Sequence, residues 1–273
     1  MSQARKIIVD LHGDTTSYLS SGAGAPVVML HGIGGGANSW LMQLNAILGS
    51  QKALAWDAPG YGESSPIPAA QIGSAPAYGE RMWRWLDALN ITQPISLVGQ
   101  SLGCIMAAAA ASLQPQRVAQ LTLLAPALGY GKSSPQLRIT KRNERIENVN
   151  TLGMAGIAEK RSAAMLAPNA SVEKIQSVRE TMAAIPAQGY IAATHVLADS
   201  DLKTLLENLN IPLTIAAGRS DTITSYAQCK AFAQEMRCLF VTLGNAGHAS
   251  PTDEPELVSA LVGNAPLAIG KKL

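Results

Sequence analysis

The sequence predicts an α/β fold, a mostly parallel sheet covered on both faces by helices and interrupted once by a helical insertion. Three observations carry this. Short apolar runs alternate with segments of helical periodicity, the sequence form of a buried parallel sheet. A Gly-x-Ser-x-Gly pentapeptide joins one of those runs to an alanine-rich helix. The alternation stops near Gly129, gives way to a polar, basic, helix-prone stretch up to about Gly189, and then resumes. At 273 residues the chain is long enough for one large domain with such an insertion. The expected division is a core of residues 1–129 and 190–273 with a helical cap over 130–189.

The elements follow in order. IIVDL and TTSYL read as two strands joined by a hairpin at His12-Gly13-Asp14. PVVMLHG is an apolar run ending in glycine, the pattern of a buried parallel strand. Asn38 to Leu48 places Trp40, Leu41, Leu44, Ile47 and Leu48 at helical spacing, ALAWD is the next strand, and a helix is expected from Ala77 to Leu89. ISLVGQ, LGCIMAAAAASL and VAQLTLLAP give strand, helix, strand. After the insertion come a helix into Asn208, the strand IPLTIAAG, a helix from Ser225 to Met236, the strand CLFVTL and a last helix from Pro255 to Leu261.

Composition bounds the function. Hydrophobic residues at 47% against 15% charged describe a chain that buries a core rather than a disordered one. A net charge of +2 gives no ground for a nucleic-acid or membrane-surface partner. Cys104, Cys229 and Cys238 are odd in number and lack metal-ligand spacing, so they read as reduced thiols. The first twenty residues contain no continuous apolar segment of the signal-peptide kind, and no stretch approaches the ~18 apolar residues of a membrane span. A cytoplasmic protein, monomer or homodimer, acting on a small molecule is the expectation.

Gly99-Gln100-Ser101-Leu102-Gly103 lies directly between the strand ISLV and the alanine-rich helix. That context is the test of a nucleophile elbow, a tight strand-to-helix turn that holds Ser101 up for attack. A side chain at either glycine would collide with the adjoining strand or helix. His31-Gly32-Ile33-Gly34-Gly35-Gly36 closes the PVVML strand, and a glycine-rich strand end lets backbone N–H groups approach a substrate oxygen. The N–H groups of Ile33 and Leu102 are the expected oxyanion donors. The spacing is neither a dinucleotide fingerprint nor a phosphate loop with its lysine.

A serine hydroxyl needs a base, and the base an orienting acid. Of the four histidines, His12 lies in the hairpin, His195 inside a helix, and His31 in a loop where bonding to backbone is the simpler role. His248, in the glycine-flanked GNAGHAS after the last strand, has the position of the base. Asp221, in GRSD after the strand IPLTIAAG, has that of the acid. Asp57 opens DAPGYGES before the serine and is expected to bond backbone in a tight turn, and Cys104 reads as a small core residue.

Taken in order, HGIGGG, Trp40, DAPGYGES, GQSLG, GRSD and GNAGH resemble the landmarks of the α/β-hydrolase superfamily across nearly the whole chain. The resemblance implies about eight strands with the site at their carboxyl ends. Within the cap, Arg142 to Val149 and Gly153 to Ala158, together with GRSDTITS, look like 3-oxoadipate enol-lactonases, which open a small lactone bearing a free carboxylate. The basic residues Arg138, Lys141, Arg142, Arg145, Lys160 and Arg161 would suit such an anion. Gly32, Gln100, Arg138, Arg142 and Arg145 are therefore candidate substrate-binding residues. Three departures stand out: Gln100 in place of the common histidine, no tryptophan in the cap, and a generic GNAGHASPTDEPE.

The expected chemistry is hydrolysis of a small carboxylic ester or lactone, such as 3-oxoadipate enol-lactone, through an acyl-serine, with no metal or organic cofactor. Carbon–carbon bond hydrolysis of a vinylogous diketone is disfavoured by Gly34-Gly35-Gly36 and Ala249, where those relatives carry proline and tryptophan. General carboxylesterase, thioesterase and cofactor-free perhydrolase activities use the same groups. A ligand-binding protein without activity would be expected to have lost some of them.

Overall fold

The computed structural model describes residues 4–47 and 51–263. Eight strands form one sheet: β1 Arg5–Asp10, β2 Thr15–Gly22, β3 Ala25–Leu30, β4 Gln51–Trp56, β5 Ile95–Gln100, β6 Val118–Leu124, β7 Leu213–Ala217 and β8 Leu239–Thr242, in the order β1-β2-β4-β3-β5-β6-β7-β8. Only β2 runs against its neighbours. It pairs with β1 through a hairpin in register Asp10↔Thr15, and His12 and Gly13 make the turn at φ 61° and 106°. Every residue of β5 is buried, as a central parallel strand covered on both faces requires.

The helices are α1 Leu41–Ala46, α2 Ala75–Ala88, α3 Leu102–Leu113, α4 Pro135–Arg161, α5 Val172–Ala183, α6 Ala187–Asp199, α7 Leu202–Leu206, α8 Tyr226–Glu235, α9 Ser250–Asp253 and α10 Pro255–Gly263. The helix expected from Asn38 to Leu48 divides into a 3-10 turn, Ala37–Trp40, followed by α1, and Leu48 lies outside the described residues. The alanines of α3 are fully buried because α2 lies against them, and a Cβ on Gly79 would stand 2.9 Å from the Ala110 Cα. A helix buried all round has no polar face to show, hence its uniform composition.

Between β6 and β7 the chain leaves the sheet for the α4–α6 segment, in which α4 packs on both α5 and α6. The expected cap boundary at residue 189/190 falls inside α6, which begins at Ala187 and also touches α3. The sequence merges these two roles of α6 because its buried face is continuous from Tyr190 to Ala198. α4 is broken at Gly153, whose φ of 63° and ψ of 174° are non-helical. None of the helices among the described residues is long and apolar enough to cross a membrane.

Candidate active site

The turn between β5 and α3 sets Ser101 at φ 53° and ψ −116°, a conformation that costs a non-glycine residue on the order of 1–3 kcal/mol. Packing makes both flanking glycines necessary. A Cβ on Gly99 would lie 2.7 Å from the Cys104 Cα, and one on Gly103 would lie 2.7 Å from the His31 carbonyl oxygen. Neighbouring backbone supports the turn: the Ser101 N–H donates to Leu124 O at 2.9 Å, and Ser101 O accepts from Cys104 N at 3.0 Å. Leu102 is the first residue of α3, so its N–H has no intrahelical acceptor.

The loop after β3 is held from behind. His31 is buried with both ring nitrogens engaged: Nδ1 donates to Gly32 O at 2.8 Å, and Nε2 accepts from the Ala58 N–H at 3.0 Å. Burial pushes its pKa down, in keeping with a neutral ring, although its Gly32 bond and Asp57 act the other way. Tyr61 Oη donates to Ile33 O at 3.0 Å, and Asp57 accepts from the Ala37 N–H at 2.8 Å and from Ser17 Oγ at 2.7 Å. His31 and Asp57 are thus structural in geometry. Gly32 is needed for close approach, since a Cβ there would run into the Gln100 side chain and lie 3.0 Å from the Ser101 Cβ.

Asp221 and His248 come together as the sequence suggests, with Nδ1 at 2.9 Å from Asp221 Oδ2 and both side chains buried. Asp221 Oδ1 accepts from the N–H groups of Ile223 at 2.8 Å and Thr224 at 3.0 Å. Burial works to raise the Asp221 pKa, but the His248 bond and charge and these two N–H groups outweigh it and hold the carboxyl below its usual value. His12 and His195 lie away from this cluster; His195, on α6, is influenced by Arg142 and Asp199.

Several contacts here escape the sequence reading. Thr224 Oγ1 lies 3.0 Å from Asp221 Oδ2, 3.2 Å from His248 Nδ1 and 3.0 Å from Ala125 O. A hydroxyl three residues after an aspartate is a familiar local turn, and D-x-x-T was the available signal. Gln100 Nε2 donates to the His248 backbone carbonyl at 2.9 Å. Asp253 Oδ2 accepts from the N–H groups of Gly247 and Ala167, both at 2.7 Å, and Ala249 N donates to Met165 O at 2.7 Å. The loop bearing His248 is thereby fastened to the chain that follows α4.

Ser101, His248, Ile33 and Leu102 share the wall of a cavity of about 250 Å³. Among the arginines proposed for binding, Arg145 lines it and Arg138 and Arg142 do not. Arg138 pairs with Asp199 at 3.8 Å, and Arg142 Nε donates to Asn143 Oδ1 at 3.2 Å. Arg161, at the far end of α4, is the second arginine in the lining, with Tyr130 and Tyr190 nearby. No Asp or Glu lines this cavity, and neither Arg145 nor Arg161 pairs with a carboxylate among the described residues. The buried thiols are engaged with backbone: Cys104 donates to Gly99 O at 3.2 Å and Cys229 to Thr224 O at 3.3 Å, and burial pushes the pKa of each up.

Comparison with known proteins agrees with this architecture. The 3-oxoadipate enol-lactonase 1 of Acinetobacter baylyi is 26% identical over 266 residues, covering 94% of this chain and 95% of that protein. The dihydrolipoyllysine-residue acetyltransferase component of the acetoin cleaving system of Pseudomonas putida is 38% identical over 115 residues, and the match spans 42% of this chain but only 30% of that longer protein. The malate-bound structure of a thermophilic esterase from Thermogutta terrifontis superposes with a TM-score of 0.83 at 26% identity, covering 96% of this chain and 97% of that one. The family model of the alpha/beta hydrolase fold matches residues 25–255, and the chain belongs to that family.

Proposed function

We propose that this chain hydrolyses a small carboxylic ester or lactone that carries a carboxylate, through an acyl intermediate on Ser101. The reading rests on one observation above all: His248, 2.9 Å from Asp221, shares a cavity with a serine held at φ 53°. His248, oriented by Asp221, takes the Ser101 proton as the hydroxyl oxygen attacks the carbonyl carbon. The N–H groups of Ile33 and Leu102 hold the oxyanion, where each such donor contributes on the order of a hundred-fold or more to turnover. The tetrahedral species collapses, its C–O bond breaks, and the alkoxide or enolate leaves with the proton from His248. Water then gives a proton to His248 and attacks the acyl carbon, and Ser101 is released with its proton restored.

Two cationic side chains in a lining without an acid favour a substrate anion, which Arg145 and Arg161 can bind in bidentate fashion. An enol-lactone of the 3-oxoadipate type has that character, and a likeness over 94% of the chain to an enzyme of that name supports it. The Thermogutta terrifontis esterase, with malate bound, is similar to this chain over 96% of its length and agrees with the same charge preference. The experiment is steady-state hydrolysis of 3-oxoadipate enol-lactone beside p-nitrophenyl acetate and butyrate, with Ser101→Ala as the blank. A kcat/KM near 10⁵ M⁻¹s⁻¹ or above on the lactone, far beyond the neutral esters, is the expected result. Slow turnover of all three, abolished by Ser101→Ala, would keep the serine mechanism and remove the lactone. Turnover that survives Ser101→Ala would remove both.

A further inference from the structure

A second cavity, about 50 Å³, adjoins the first. It is formed by Trp40 beside the glycine-rich loop, Val178 and Thr181 of α5, and Ala249 and Pro251 after the histidine. Ile33, Gly34, Ser101, Met165 and His248 line both cavities, so the two meet at the reacting groups. A carbonyl attacked by Ser101, with its oxygen turned to the Ile33 and Leu102 N–H groups, has two other substituents. They diverge from the reacting carbon, and each needs its own space.

The two spaces differ in size and chemistry. The larger cavity is lined by Arg145 and Arg161. No Lys, Arg, Asp or Glu lines the smaller one, and several of its polar groups are already engaged, while Trp40 Nε1 is buried without a partner. Both His31 nitrogens are bonded, the Gln100 amide nitrogen is held by His248 O, and Ser39 Oγ accepts from the Gly36 N–H. A volume of about 50 Å³ is small, of the same order as the about 30 Å³ that one water takes up in the liquid. Val178, 9% exposed on a helix that packs against the Ala37–Trp40 turn, forms part of its wall.

Resting on the ester-hydrolase reading above, we infer that the site takes an ester with one anionic arm in the larger cavity and one short apolar arm in the smaller, and that Val178 limits the length of the short arm. Cleavage breaks the acyl C–O bond, water supplies the OH of the acid and the H of the alcohol, and no other reactant is consumed.

The test is kcat/KM for two ester series. In the first, the methyl, ethyl and hexyl monoesters of glutaric acid carry the anion on the acyl arm. In the second, 3-acetoxypropionate and 3-hexanoyloxypropionate carry it on the alcohol arm. Longer chains bind more tightly wherever apolar space is open, so the sign of the trend is diagnostic. The expected result is at least a ten-fold preference for the short member in one series, which also tells which arm enters the smaller cavity. Val178→Ala should shrink that preference several-fold by raising kcat/KM for the long ester relative to the short one, and Val178→Leu should enlarge it. Equal or rising rates with chain length in both series, or a preference that neither variant moves, would overturn the inference. Poor turnover of every anionic open ester, with Ser101-dependent turnover of the enol-lactone or of p-nitrophenyl acetate intact, would overturn it too while leaving the hydrolase reading in place.

Discussion

The side-chain amide of Gln100 donates to the backbone carbonyl of His248 at 2.9 Å, linking the residue before Ser101 to the imidazole's own backbone across 148 positions of chain. Gln100 is buried, and a carbonyl deprived of its donor there costs about 1–3 kcal/mol. Gln100→Leu should therefore lower kcat about ten-fold or more and leave KM nearly unchanged, because the loss falls on the placement of His248. Gln100→Glu should be worse, since a carboxylate faces the carbonyl oxygen. Steady-state kinetics on any accepted ester decides this, and a KM effect with kcat intact would assign Gln100 to substrate instead.

Thr224 offers a second positioning contact, at 3.0 Å from Asp221 Oδ2 and 3.2 Å from His248 Nδ1. Its hydroxyl fixes one carboxylate oxygen while backbone N–H groups fix the other. Thr224→Val keeps the shape and removes the hydroxyl, and a fall in kcat of roughly ten-fold is expected from the loss of one hydrogen bond to a charged group. Thr224→Ser should restore most of it. Asp221→Asn, which disturbs the imidazole tautomer, should cost on the order of 10⁴. Equal activity of Thr224→Val and the parent would show that the backbone donors alone orient Asp221.

The strand-to-helix turn that carries Ser101 was legible because it is local: its strand, glycines and helix lie within one short stretch of chain. The Gln100 contact was not, since no local pattern links it to a carbonyl in a loop after β8. The cap arginines show the same boundary. Helical spacing groups Arg138, Arg142 and Arg145, but a rise of about 1.5 Å per residue sets Arg138 about 10 Å along the axis from Arg145. Only the packing of α4 on α5 and α6 decides which of them meets the cavity. Arg161 needed the break at Gly153 as well, and a backbone angle leaves no trace in spacing.

The pH behaviour follows from Asp221. Its folded pKa lies below the unfolded value, so the stability it contributes is fully present above the unfolded pKa of about 3.9 and is lost as pH falls through the folded value. Thermal unfolding of the parent and Asp221→Asn should accordingly differ most above about pH 5 and converge under more acidic conditions. A difference in Tm that stays constant from pH 7 to pH 3 would contradict a depressed carboxyl.

Gly153 divides α4 into a part that carries Arg145 and a part that carries Arg161, and both arginines reach the same cavity. Its φ of 63° with ψ of 174° belongs to a region essentially reserved for glycine. A Cβ there would meet nothing within 4 Å, so Gly153→Ala introduces backbone strain without a clash. If the break serves to aim both cations, straightening it should act as removing one of them does. Gly153→Ala and Arg161→Met should each raise KM for an anionic ester several-fold, with kcat/KM for p-nitrophenyl acetate close to the parent's. Loss of activity on charged and neutral esters alike would instead mean that Gly153→Ala disturbs Ser101 and His248 themselves, and the two arginines would then have to be separated by Arg145→Met alone.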